Sequence, residues 1–182
     1  MSEAQDRYRL IADGFDARVR AVPDGQWGAQ SPCEEWKARD VVAHVIGNHR
    51  GMIANLRGGE AEPVAEGTDP KMAWSDVYGE MLALTDDGEA MATTVEGPMG
   101  SMPFEQLLGR LVSMDVLVHT WDLARAVGGD ERLDADAVAH AFEGVKPLDA
   151  MIRRPGVFGP KLDPPAGADT QTEFLYFLGR RA

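Results

Sequence analysis

The chain has 182 residues, of which 44% are apolar and 26% charged, a composition that fits one soluble globular domain and not a disordered chain. A net charge of −12 and a pI near 4.7 argue against a nucleic-acid backbone as partner, since that partner calls for clustered Lys and Arg. No apolar run approaches the ~18 residues of a membrane span, and the start Met-Ser-Glu-Ala-Gln-Asp has no signal-like core. A single cysteine, Cys33, excludes an internal disulfide. The expected compartment is the cytoplasm.

Arg7–Val22 has helical spacing, with Tyr8, Ile11, Phe15 and Val19 on one stripe, and Pro23 and Gly25 end it. Trp27–Trp36 reads as a loop ordered by two indoles. A second helix runs from about Ala38 to Leu56 and stops at Gly58-Gly59. Residues 58–69 form a polar, Gly- and Pro-containing surface loop. Pro70 suits a first helical turn, and a third helix follows to about Leu84 with Met72, Val77, Met81 and Leu84 as its packing residues. It stalls at Asp86-Asp87-Gly88. Met91–Met102, with Thr93-Thr94-Val95 and Gly97-Pro98-Met99-Gly100, is turn-rich and allows a short extended connection.

Pro103 opens the longest helix, which reaches about Val127 and stops at Gly128-Gly129. Asp134–Ile152 reads as a fifth helix, kinked or ended by Pro147. Arg153–Ala168, with Pro155, Gly156, Gly159, Pro160, Pro164, Pro165 and Gly167, is a long loop. Thr170–Arg180 is a short closing helix with Phe174, Leu175 and Leu178 as contacts. No internal repeat or domain-sized linker interrupts residues 1–182, so the expectation is a single all-α domain, a four-helix bundle with extra C-terminal helices.

Within this frame His44, Asp115 and His119 stand out. Asp115 and His119 are four residues apart, about 40° around a helix axis, so they point from one face. His44 would come from a facing helix. Two imidazoles and one carboxylate with open positions suit Zn²⁺ or another divalent first-row ion such as Ni²⁺. The plain alternative is a hydrogen-bonded His–Asp set with no metal. Both histidines interrupt apolar runs, Val41-Val42-Ala43 and Val116-Leu117-Val118, and a polar ring on an apolar face is costly unless bonded or coordinated.

Helical phase sorts the remaining candidates. His49 lies five residues after His44, about 140° around the axis, and reads as a packed or partly exposed residue. His140 reads as a surface or half-buried residue. Asp122, three residues after His119, could be a fourth ligand or an arginine partner. The preferred reading makes it an acceptor behind the His119 imidazole, because a metal-bound His usually donates its other N–H. Asn48 either lines the cavity or is structural. Trp121 reads as core. Cys33 could bind metal or act as a nucleophile, but in a Pro-Cys-Glu-Glu loop it reads as a small buried residue. No G-x-S-x-G, Walker, Rossmann, H-E-x-x-H or CxxC pattern is present.

Pro32-Cys33-Glu34-Glu35-Trp36 leading into Asp40-Val41-Val42-Ala43-His44-Val45-Ile46-Gly47 resembles the opening of the DinB/YfiT-like metalloenzymes. Asp115-Val116-Leu117-Val118-His119-Thr120-Trp121-Asp122-Leu123-Ala124 is similar to the second ligand helix of one branch. That branch is related to the N-terminal domain of mycothiol-dependent maleylpyruvate isomerase. Gly156-Val157-Phe158-Gly159-Pro160 before the closing Phe-Leu-Gly-Arg resembles its small stand-alone members.

The resemblance implies a four-helix bundle with a divalent metal, usually zinc, on three residues that match His44, Asp115 and His119. It also implies a low-molecular-weight thiol, mycothiol or bacillithiol, used in transferase or isomerase reactions. The isomerase has Glu where this chain has Asp115. The residues after Trp121-Asp122 are too few for its C-terminal domain, which weighs against isomerisation. The expected function is thus a zinc-dependent thiol S-transferase acting on a small electrophile, with a homodimer allowed. The rivals are a non-catalytic metal- or ligand-binding bundle with a stress-related accessory role, and a structural bundle.

Overall fold

Four amphipathic helices bury their apolar stripes against one another in the first part of the chain, and this packing positions His44, Asp115 and His119. The computed structural model describes residues 2–65, 67–97, 100–153 and 158–182. The chain forms two compact units, Met1–Glu131 and Arg132–Ala182.

In the first unit, α1 (Glu3–Ala21) starts on a reciprocal cap in which Ser2 and Gln5 exchange side-chain and backbone hydrogen bonds. Its stripe of Tyr8, Ile11, Phe15 and Val19 is at most 3% exposed. A 3-10 turn (Asp24–Gln26) leads to a loop and then α2 (Ala38–Arg57). Next come α3 (Pro70–Asp86), capped by Asp69 with Pro70 in the first turn, and the short α4 (Gly88–Ala92), capped by Asp87. The strands β1 (Thr94–Gly97) and β2 (Gly100–Pro103) pair antiparallel, with Val95 opposite Met102 and both buried. The turn-rich stretch is therefore a short hairpin; its Pro98 and Met99 lie outside the described residues.

The expected helix from Pro103 is three segments in one run. These are α5 (Phe104–Leu107), a π-helical turn (Leu108–Val112) and α6 (Ser113–Val127). Both the backbone N–H and the hydroxyl of Ser113 donate to the Leu108 carbonyl, five residues back, which is the spacing of a π turn. At this turn a side chain on Gly109 would bring a Cβ within 3.0 Å of the Ala4 Cβ, so glycine permits the close approach of α1. At the far end Gly128 adopts φ 66°, a left-handed stop that glycine takes without strain.

Helix α1 packs on α3 and α6, and α2 packs on the same two. The helices bearing His44 and His119, α2 and α6, are therefore neighbours. Trp74, Met81, Leu108, Val116, Val118 and Leu123 are fully buried in this bundle, and Trp121 is buried as expected. Met72 is a correction, because it is 67% exposed rather than packed.

In the second unit, α7 (Ala135–Val145) begins on an Asp134 cap. A 3-10 turn (Lys146–Leu148) holding Pro147 and a single turn α8 (Asp149–Ile152) replace the rest of the expected fifth helix. Helix α9 (Thr170–Phe177) is shorter than the expected Thr170–Arg180. Phe142 of α7 meets Phe174 and Phe177 of α9 at centroid distances of 6.0 and 5.6 Å. Arg154, Pro155, Gly156 and Val157, which include the start of the Gly156–Pro160 motif, lie outside the described residues. The architecture is all-α with a DinB-like fold. No described helix is long and apolar enough to cross a membrane.

Candidate metal centre

Helices α2 and α6 bring His44, Asp115 and His119 together. One ligand atom from each lies within 4.8 Å of the other two. The Nε2 of His44 is 3.3 Å, and the Nε2 of His119 3.4 Å, from the Oδ1 of Asp115. For ligands at ~2.0–2.2 Å in a tetrahedral shell, neighbouring N and O donors sit ~3.4 Å apart. The observed spacings fit that value. The His119 side chain is 5% exposed, while His44 and Asp115 are 31% and 21% exposed, so the cluster opens to solvent on one side.

Hydrogen bonds assign the ring faces. The Nδ1 of His119 lies 2.9 Å from the Oδ2 of Asp122, which has no exposed surface. A carboxylate accepts, so Nδ1 carries a proton and Nε2 is turned toward Asp115. On the other side, the Asn48 amide nitrogen donates to the Nε2 of His44 (2.9 Å) and to the Oδ2 of Asp115 (3.0 Å). Asn48 is thus part of the site. The convergent atoms are electron-pair donors, and donors at 3.3–3.4 Å repel unless a proton or a cation sits among them.

Charge follows from this arrangement. Burial works against an imidazolium at His119, but the Asp115 carboxylate, and after it Asp122, outweigh burial and push its pKa up to about 9. Burial likewise raises Asp115, and the charge and hydrogen bond of the His119 ring overcome it, holding the carboxyl well below the ordinary range. At neutral pH the ion-free site therefore fills its gap with a proton. A divalent cation would displace that proton.

The loop before α2 adds two residues that the sequence reading did not assign to the site. The Gln30 amide nitrogen lies 3.0–3.2 Å from the carbonyls of Ser31, Cys33, Glu34 and Trp36, which folds the loop tightly. Trp36 is thereby laid against both histidines, with ring centroids 4.6 Å from His44 and 5.6 Å from His119. Cys33 is half-buried rather than buried, and its Sγ lies 3.5 Å from the Oδ2 of Asp122. The Pro32–Trp36 motif was the available signal, but its proximity to α6 depends on contacts 89 residues apart in the chain.

The other histidines are not among the cluster residues. His49 is fully buried; its Nδ1–H donates to the Val45 carbonyl (2.7 Å), so its Nε2 accepts from the Tyr8 hydroxyl (2.9 Å). Burial lowers its pKa to about 4. His140 is exposed on α7. A cavity of about 200 Å³ lies beside α2, lined by Arg39, Ala43, Ile46, Val64 and Thr68 among others; none of the cluster residues lines it.

An all-α bundle with a two-histidine, one-carboxylate cluster between adjacent helices is the class that fold and site define. The model of the mycothiol maleylpyruvate isomerase N-terminal domain family matches residues 8–124, and the chain belongs to that family. An uncharacterized protein of Mycobacterium tuberculosis, represented from two strains, is 29% identical over 178 residues, covering 95% of each chain. The crystal structure of the mycothiol-dependent maleylpyruvate isomerase superposes with a TM-score of 0.56 at 18% identity, over 82% of this chain and 68% of that one. A histidine-to-alanine mutant of that enzyme gives the same TM-score at 20% identity. At these identities the likeness is one of fold.

Proposed function

We propose that the protein is a divalent-metal-dependent thiol S-transferase. His44, Asp115 and His119 would hold one zinc ion, or a neighbour such as nickel. Mycothiol or a similar low-molecular-weight thiol would be one substrate and a small electrophile the other. The observation that carries this reading is the convergence of three electron-pair donors within 4.8 Å, on a cluster partly open to solvent. The family supports the thiol, since the isomerase it is named for depends on mycothiol. When bound, the cation supplies Lewis acidity that favours thiolate over thiol near neutral pH.

The chain's own residues do the rest. Asp122 holds the His119 ring with Nε2 toward Asp115, and Asn48 orients the Asp115 carboxylate through its Oδ2. Trp36 sets an apolar indole against both imidazoles, its plane tilted by 39° and 38° to theirs, as one wall of the cluster. In the transfer, the thiol sulfur forms a bond to an electrophilic carbon of an epoxide, quinone or activated alkene. The thiol proton leaves to solvent and the opened or reduced acceptor takes one up. Such a reaction draws on the thiol pool of a reducing cytoplasm, the compartment this reading takes.

Calorimetric titration of zinc-loaded protein with mycothiol, bacillithiol and glutathione tests the proposal. At least one should bind below millimolar concentration, and zinc-loaded protein should accelerate its conjugation to a model electrophile while His44→Ala does not. If none binds, the reading falls and a non-catalytic metal-binding bundle takes its place.

A further inference from the structure

His119 has a second face. Its Nε2 belongs to the cluster with His44 and Asp115, while its Nδ1 belongs to another set, with Asp122 and Cys33. One donor atom from each of Cys33, His119 and Asp122 lies within 4.8 Å of the other two. The Cys33 Sγ and the Asp122 Oδ2 are 3.5 Å apart, close to the ~3.6 Å expected for S and O donors on one tetrahedral ion with bonds of ~2.3 and ~2.1 Å. The Nδ1–Oδ2 distance of 2.9 Å is a hydrogen bond and would have to open by roughly half an ångström.

The geometry points to a second cation site on Cys33, Asp122 and His119, selective for thiophilic divalent ions and mutually exclusive with the first. One feature sets its preference: a thiolate is a soft donor, which the first cluster lacks, so ions that favour sulfur over nitrogen and oxygen donors gain most here. Binding releases the Cys33 thiol proton and the His119 Nδ1 proton to solvent, while the Nε2 proton that the ion-free ring carries at neutral pH stays in place.

Exclusivity follows from the ring. A neutral imidazole has one lone pair. An ion that takes Nδ1 leaves the proton on Nε2, which then donates to Asp115 and no longer serves the first cluster. Thiophilic ions such as cadmium would thus switch the first site off by reversing the His119 tautomer that Asp122 otherwise enforces.

The chain has one cysteine, so any thiolate-to-metal charge-transfer absorption reports Cys33 alone. His44→Ala disables the first cluster and should still bind cadmium with that absorption. Adding Cys33→Ser to it should abolish the absorption and weaken cadmium binding by at least about tenfold, the loss typical of removing even an outer contact to a metal ligand. In wild-type protein, cadmium should protect Cys33 from an aromatic disulfide reagent, and protein given zinc and cadmium together should hold one ion in total. Unprotected Cys33 in wild-type protein, absence of the band in folded His44→Ala, or two ions per chain would overturn the inference. Failure of zinc binding by wild-type protein strikes the first site and leaves these cadmium readouts standing.

Discussion

The imidazole Nδ1 of His119 lies 2.9 Å from the buried Oδ2 of Asp122, and this hydrogen bond decides which face of the ring is offered to Asp115. The bond is local to α6, three residues along one helix. It leaves Nε2 free to meet donors brought in by α2. The site is thus half written in one helix and completed by packing.

Replacing Asp122 with Ala removes the acceptor that holds the tautomer. Zinc affinity, measured by competition with a chromogenic chelator, should fall by roughly 10–100-fold, the cost usual for losing a carboxylate behind a metal-bound histidine. Affinity unchanged within twofold would mean that Asp122 does not act through His119.

Asp115→Asn keeps the shape but removes the charge that would offset the cation. Zinc binding should weaken by about 10–100-fold, in line with 1.5–3 kcal/mol for a charge-assisted contact. Asp115→Glu should retain binding, since it keeps the charge and the carboxylate donor on the same helix face. Equal zinc affinity in wild type and Asp115→Asn would remove Asp115 from the coordinating set.

Much of this was legible in the sequence. Tyr8, Ile11, Phe15 and Val19 marked the buried stripe of α1 because a 3.6-residue period is a local signal. Gly128 marked the stop of α6 for the same reason. The Asp115–His119 pair was readable from its spacing, and the 140° offset of His49 from His44 marked His49 as a packed or partly exposed residue; its partner, Tyr8, appears only in the structure. The π turn was not legible, because it is decided by which carbonyl Ser113 meets. Nor were the roles of Trp36 and Cys33, which depend on how Gln30 folds a loop and where that loop lands on α6. Met72 fitted the helical pattern, yet the neighbouring helices leave it exposed.

His49 makes stability depend on pH. Its folded pKa is lowered from 6.5 to about 4, so the unfolded chain takes up the proton first as pH falls. The neutral ring's contribution is complete above about 6.5 and is lost progressively as pH drops toward 4. The total is on the order of 3 kcal/mol, at 1.36 kcal/mol per unit. Urea unfolding of metal-free protein from pH 7.5 to 4.5 should show this slope, and His49→Leu should flatten it, whatever the variant's absolute stability. An unchanged slope in His49→Leu would assign the acid sensitivity to other groups.

Elemental analysis of purified protein after zinc loading and desalting tests the central claim most directly, in wild type, His119→Ala and His49→Ala. Wild type and His49→Ala should each carry about one zinc per chain, and His119→Ala should carry none. Zinc-free wild type, or a His49→Ala protein that loses metal as completely as His119→Ala, would contradict the assignment of the site to His44, Asp115 and His119.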